Sequence, residues 1–195
     1  PQFMKNDESV SGTQRGTAFH KVMELLDFAA FYKMTEVSEK DGLSREQAEG
    51  FLKKELERMG AAGKLPEEYR AAVSMEKVAD FLQRDAAARM GRAALSGKLH
   101  KEQPFVLGIP ANRLKEEFPE SETVLVQGII DVFFEEEDGL VVLDYKTDAV
   151  KTARELIQRY RVQLDYYAQA LEQIYGRPVK EKIIYSFKLG KEISF

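Results

Sequence analysis

The spacing of hydrophobic positions changes near residue 99. Before that point apolar residues recur every three or four positions, the period of helices; beyond it two-residue alternation enters. Phe19, Val22, Met23, Leu26 and Ala30 predict a helix over 13–32. Ser44 and Gln47 form a capping box ahead of Phe51, Leu52, Leu56 and Met59, so a second helix starts at Ser44 and stops at Gly60-Ala-Ala-Gly63. Another helical stretch opens after Leu65-Pro66 and runs to about 96, with breaks near Ser74 and Asp85.

The second half reads differently. Residues 102–107 predict a strand, and because proline cannot donate to a ladder Pro104 places it at a sheet edge or makes it begin late. A polar connection covers 108–122. The run 124–134 is rich in β-branched and aromatic residues and predicts a strand, followed by a turn at Asp138-Gly139. Along 140–146, Leu140, Val142, Asp144 and Lys146 fall on one side, with Val141, Leu143 and Tyr145 on the other. A long helix over 152–175 carries Leu156, Tyr160, Leu164, Tyr167, Leu171 and Ile174 as its apolar stripe, and Gly176-Arg-Pro178 stops it. A last strand is expected over 179–189. The organisation expected is a polar linker over 1–12, a mainly helical part over 13–98 and an α/β part over 99–195.

Composition narrows the chemistry. The 195 residues suit one domain, and cysteine is absent, which removes disulfides, thiolate zinc sites, iron–sulfur clusters and cysteine nucleophiles together. The net charge of −4 argues against a free-standing domain that grips DNA tightly, although Lys146, Lys151, Arg154, Arg159 and Arg161 gather in one stretch. That stretch reads equally as a solvated helix face. No membrane span and no signal peptide are visible, so a cytoplasmic, nucleoid-associated protein is expected. The opening Pro-Gln-Phe suggests a piece of a longer polypeptide. Gly91 to Leu99 imitates a phosphate-binding P-loop, but five residues separate Gly91 from Gly97 and leucine stands where the magnesium-binding hydroxyl belongs.

Asp131 and Asp144 interrupt apolar runs, Gly128-Ile-Ile-Asp131 and Leu140-Val-Val-Leu-Asp144-Tyr-Lys146. A carboxylate inside such a run is buried in part, and a buried charge needs a partner or a metal. Mg²⁺ suits carboxylates combined with substrate phosphate, and a lysine beside it can steady water or developing charge. The bland alternative for Asp144 and Lys146 is a surface ion pair of little consequence.

The order of these motifs resembles the PD-(D/E)xK nuclease superfamily, and within it the RecB-type branch. An upstream Gly16-Thr-Ala-Phe-His20 matches that branch's Gly-Thr-x-x-His pattern, Gln163-Leu-Asp-Tyr-Tyr167 matches its Gln-x-x-x-Tyr motif, and Glu102 matches an acidic position on the first strand of many relatives. Within the branch, the chain is similar to C-terminal nuclease domains of AddA-type ATP-dependent helicase–nucleases. Two departures from the superfamily pattern are Ile130 before the first aspartate, in place of proline, and Asp144 in place of glutamate. The resemblance implies an α/β fold: a restriction-endonuclease-like mixed sheet flanked by helices, with a helical N-terminal extension.

The resemblance also implies metal-dependent hydrolysis of DNA phosphodiesters during double-strand-break processing, on single-stranded DNA and on the 3′-ended strand. Asp131, Asp144 and Lys146 are the implied catalytic set. His20, Asp131, Asp144 and the backbone carbonyl of Tyr145 are the implied ligands of Mg²⁺, with Mn²⁺ as a substitute and no iron–sulfur cluster. Gln163, Tyr167, Lys151 and Arg159 are expected on the substrate side. The implied partners are single-stranded DNA, helicase domains of the same polypeptide and a second helicase–nuclease subunit, with no membrane. Two alternatives stay open: a RecB-like fold without activity that serves as a scaffold or DNA-end grip, and a stand-alone nuclease of another system.

Overall fold

The computed structural model describes residues 12–37, 44–113 and 117–195. The expected linker over 1–12 lies outside the described residues except for Gly12, which opens the first helix.

Among the described residues six helices precede the first strand: α1 (Gly12–Leu25), α2 (Phe28–Val37), α3 (Arg45–Ala61), α4 (Glu67–Ala72), α5 (Met75–Leu82) and α6 (Asp85–Leu95). The helix expected over 13–32 is two helices with an elbow at Leu26-Asp27. The Asp27 carboxylate accepts the Ala30 N–H at 2.9 Å and so caps α2. Lys101 and Arg58 satisfy the last carbonyls of α1, donating to Leu26 at 2.8 Å and Leu25 at 3.0 Å. Polar caps from distant parts of the chain therefore end a helix that its apolar spacing would have continued. Ser44 and Gln47 form the expected capping box of α3. The Ser74 side chain caps α5, accepting the Lys77 N–H. Gly91 lies inside α6, where a Cβ would stand 2.6 Å from the Cβ of Tyr32 on α2, so this glycine serves helix packing.

The strands are β1 (Leu99–Pro110), β2 (Thr123–Glu136), β3 (Gly139–Lys146), β4 (Val179–Ser186) and β5 (Lys191–Ser194), in spatial order β1-β2-β3-β4-β5. β3 and β4 are parallel and the other neighbours antiparallel. The parallel pair requires a crossover, supplied by α7 (Ala153–Tyr175), which is capped by Thr152 and ended by Gly176 at a φ of 63°. Pro104 is on an edge strand, as expected. Glu136 pairs with Gly139, so the hairpin loop is Glu137-Asp138 and not Asp138-Gly139. The strand expected over 179–189 stops at Ser186; Gly190, at a φ of 61°, turns the chain back into β5, which is too short to announce itself by alternation. Ile174, expected on the apolar stripe of α7, is exposed.

Two cores sandwich the sheet. Val141, Leu143 and Tyr145 pack with Phe19, Met23 and Phe81 under the N-terminal helices. Leu140, Val142 and Ile184 pack with Leu156, Leu164 and Leu171 of α7 on the opposite face. The result is a mixed five-stranded sheet with helices on both sides, a restriction-endonuclease-like fold. Among the described residues no helix is long and apolar enough to cross a membrane.

Candidate active site

Register places three acids in one row across three neighbouring strands. Lys101 pairs with Val132 and Gln103 with Ile130, so Glu102 stands opposite Asp131. Val132 and Leu143 are the last pair of the β2–β3 ladder, which leaves Asp131 next to Asp144 at the point where the two strands part. Both strands of the β1–β2 hairpin are irregular here. Glu102 has a φ of 51°, a left-handed conformation that costs a non-glycine residue of the order of 1–3 kcal/mol. On β2, Val132 and Phe134 belong to the core under the N-terminal helices, whereas Ile130 belongs to the core under α7. The hairpin thus changes the face it presents at Asp131.

α1 delivers His20 to this row. A Cβ on Gly16 would stand 3.2 Å from the Thr147 hydroxyl, so the helix approaches the end of β3 closely. His20 Nδ1 lies 3.3 Å from Asp131 Oδ1, and the other Asp131 oxygen accepts the Tyr145 N–H at 2.9 Å. That bond occupies a strand N–H where β2 and β3 part, and it fixes the carboxylate. Ligand atoms of His20, Glu102 and Asp131 all lie within 4.8 Å of one another.

Asp144 is almost completely buried and faces Lys146, whose Nζ stands 2.5 Å from Asp144 Oδ2. The approach lacks hydrogen-bond alignment, and Oδ2 has no other hydrogen-bond partner. The close group of ligand atoms thus brings in Glu102 beside His20 and Asp131, while Asp144 stands next to it with Oδ2 facing Lys146. Lys146 also reaches Gln163 Oε1 at 3.4 Å and lies 4.2 Å from the centre of the Tyr160 ring.

Electrostatics mark the same residues. Burial, and then the charge of Asp131, push the Asp144 carboxyl up to about 6, with Lys146 and His20 pulling the other way. Burial alone would lower His20, but its hydrogen bond to Asp131 and the charges of Asp131 and Asp144 outweigh that and raise it. Burial, then Asp131, raises Glu102. Acids held above their usual range beside one another are the signature of a site that a cation would relieve. The donor set fits a divalent metal: carboxylate oxygens and one imidazole, with a buried Asp144 oxygen lacking an aligned donor.

Of the residues expected on the substrate side, Gln163 and Tyr167 reach the site: the Gln163 amide donates to the Tyr167 hydroxyl at 2.5 Å while accepting from Lys146. Arg159 instead engages Asp148 and Glu155, both at 3.1 Å, and Lys151 is exposed. The Tyr145 side chain points away, into the core beside Phe81 and Phe187. The sequence marks Glu102 as an acidic strand position without placing it in the site, since nothing in a strand pattern signals a left-handed residue. The apolar stripe of α7 assigns Tyr160 to packing alone; its ring also flanks Lys146.

A family model described as the PD-(D/E)XK nuclease superfamily matches residues 2–192. Proteins named as the A-type subunit of an ATP-dependent helicase/nuclease align over 99% of the chain: 35% identity in Lachnoclostridium phytofermentans, 34% in Clostridium novyi and 38% in Clostridium perfringens. The chain spans 16%, 15% and 15% of the length of these relatives, respectively.

Proposed function

The chain belongs to the PD-(D/E)XK nuclease superfamily, and from that premise we propose that it is the metal-dependent DNA-hydrolysing module of a helicase–nuclease, acting on single-stranded DNA at processed double-strand breaks. The observation that carries this reading is the cluster of Glu102, Asp131 and Asp144, with His20 against Asp131 and Lys146 against Asp144. A scaffold has no use for a buried Asp144 and a half-buried Glu102 whose carboxyls are both held up by burial and by the charge of Asp131.

His20, Glu102, Asp131 and Asp144 would hold Mg²⁺ or Mn²⁺, with the Tyr145 carbonyl as a further oxygen donor. When bound, the ion polarises the scissile phosphate and acidifies water. The protein does the rest. Asp131, pinned by the Tyr145 N–H, keeps its second oxygen directed toward His20. Asp144 positions Lys146, and the Gln163 amide and Tyr160 ring limit where that ammonium can go. Lys146 then orients the attacking water or offsets negative charge in the transition state. Gln163, Tyr167 and Lys151 line the approach of the strand, while Arg159 acts through Asp148 and Glu155.

The length of the named relatives supports helicase domains in the same polypeptide. The same reading includes work on chromosomal DNA in the cytoplasm, cleavage of the 3′-ended strand and a second helicase–nuclease subunit. The test is cleavage of end-labelled single strands and duplexes with Mg²⁺, Mn²⁺ or EDTA, beside Asp131→Asn. The reading requires metal-dependent loss of single strands that this variant lacks; equal cleavage by the variant, or none by the parent with either metal, overturns it.

A further inference from the structure

Beyond the acidic row, the hairpin of β1 and β2 extends past the end of β3 and leans over α7. Between them lies an open cavity of about 400 Å³. Phe105, Val126 and Gly128 form the hairpin side; Val162, Tyr166 and Tyr167 form the helix side. The Phe105 ring covers the bare backbone of Gly128, where a Cβ would stand 2.9 Å from a ring carbon, and meets Tyr167 edge-on with centroids 5.4 Å apart. Gln163, the residue that accepts from Lys146 and donates to Tyr167, also lines the cavity.

We infer that this cavity receives one unpaired nucleobase of the strand whose phosphate lies at the acidic row. The inference rests on the nuclease reading above and adds a base-binding subsite to it. Three observations select a base as occupant. The walls are aromatic and apolar, the surface on which a flat base stacks, with an amide in the lining for its polar edge. Gln163 belongs to both the cavity wall and the Lys146 contact, so an occupant is in touch with the catalytic lysine through one side chain. Gly128 precedes Asp131 by three residues of extended strand, about 10 Å, a distance one nucleotide bridges between its phosphate and its base.

The subsite gives single-strand preference a physical cause. A base inside a duplex has its edge paired and its faces stacked, so seating it in the cavity requires unstacking. A base already unpaired is seated without that cost. The apolar lining contacts the base faces, so the preference extends over all four bases.

The experiment is an abasic scan. Single strands carrying one abasic position, moved stepwise along the strand, are titrated with the whole protein in EDTA, where binding is read without cleavage. Binding should weaken about 5- to 50-fold at one register and little elsewhere, the loss of one stacked base. 2-Aminopurine at that register should be quenched on binding, and Tyr166→Ala should remove both effects. Tyr166→Phe, which keeps the ring, should retain them. Equal affinity at every register, or no binding of single strands at all, overturns the inference; the scan on the parent protein needs no variant to fold. A clear register in EDTA without metal-dependent cleavage would leave the subsite standing and remove the nuclease reading instead.

Discussion

Glu102 stands across the β1–β2 ladder from Asp131 on a backbone turned to a φ of 51°. An ordinary strand conformation would put the Glu102 side chain elsewhere, so the left-handed turn is what brings a third acid to His20 and Asp131. Unfavourable backbone of this kind persists where the surrounding structure over-determines it, and it gathers at functional sites.

The first prediction follows from that turn. Glu102→Gly relieves the left-handed strain while deleting the proposed ligand, and Glu102→Ala deletes that carboxylate and keeps the strain. The glycine variant should be more stable than the alanine variant by about 1 kcal/mol, with both binding divalent metal more weakly than the parent. Chemical denaturation gives the first comparison and calorimetric metal titration the second. Metal affinity unchanged in both variants would remove Glu102 from the site.

Asp144 and His20 give the second, through pH. The Asp144 carboxyl is raised to about 6 in the folded chain, against an unfolded value of about 4. A folded-state pKa above the unfolded one contributes stability fully present below the unfolded value and lost as pH rises through the folded one. His20 is also raised, so its contribution has the same sign, present below about 6.5 and lost above its folded value. In EDTA the melting temperature should therefore fall between pH 5 and pH 8, and Asp144→Asn should flatten that fall. A divalent cation at pH 8 should restore the loss in the parent and restore less in the variant.

Lys146 separates binding from chemistry. Its ammonium sits between Asp144, Gln163 and the Tyr160 ring, with only an eighth of the side chain exposed (12%). Lys146→Ala should lower turnover by about 10²-fold or more, the cost of losing a charge stabiliser. Metal affinity should stay or rise, because the competing cation beside Asp144 is gone. Single-turnover cleavage and metal titration on the same preparation decide this; a folded variant with near-normal turnover shows that Lys146 takes no part in catalysis.

How far the site is legible in the sequence depends on whether its geometry repeats. Asp144 and Lys146 can be placed on one face because strand alternation is strictly periodic, and all of 139–145 is buried around them. Apolar residues of β2 fall at both odd and even positions between Val124 and Phe134, so no strict alternation is present to betray the change of face at Asp131. The elbow at Asp27 is hidden for another reason. Apart from the local Asp27 cap on Ala30, its partners are Lys101, Arg58 and Glu55, distant in sequence, and helical periodicity carries no record of them. At the end of β2, Glu136 binds Arg89 and Lys180, and Glu135 binds Arg177, partners that come from distant parts of the chain.

That network yields a prediction unrelated to catalysis. Arg89 makes paired contacts to Glu136 at 2.8 and 3.0 Å, reaches Glu181 at 2.8 Å and covers the Phe134 ring, tying α6 to β2 and β4. The Arg89 hydrogen bonds hold the Glu136 carboxyl down at about 2, against burial, with Lys180 helping. A depressed folded-state pKa contributes stability that is present above the unfolded value and lost as pH falls toward 2. Arg89→Ala should cost about 2–4 kcal/mol at pH 7, and less at pH 3. Turnover per folded molecule should not change. Equal destabilisation at both pH values would assign the effect to packing alone.

The metal itself supplies the last prediction. Carboxylate and carbonyl oxygens alone serve Mg²⁺ well, but this site also offers the His20 imidazole, next to Asp131 and Glu102. An imidazole nitrogen favours transition metals over Mg²⁺, and Mn²⁺ accepts it while keeping the oxygen-rich, six-coordinate habit of Mg²⁺. The protein should therefore bind Mn²⁺ more tightly than Mg²⁺. His20→Ala should narrow that gap chiefly by weakening Mn²⁺, because Mg²⁺ draws most of its affinity from the acids. The raised pKa of His20 adds a pH signature: its proton must leave before the nitrogen can coordinate, so the preference for Mn²⁺ should grow from pH 6 to pH 8 in the parent and stay level in the variant. Calorimetric titration of both metals at the two pH values reads all of this without any nucleic acid. A Mn²⁺ preference that survives His20→Ala unchanged would place the imidazole outside the coordination sphere and leave the metal to the three acids.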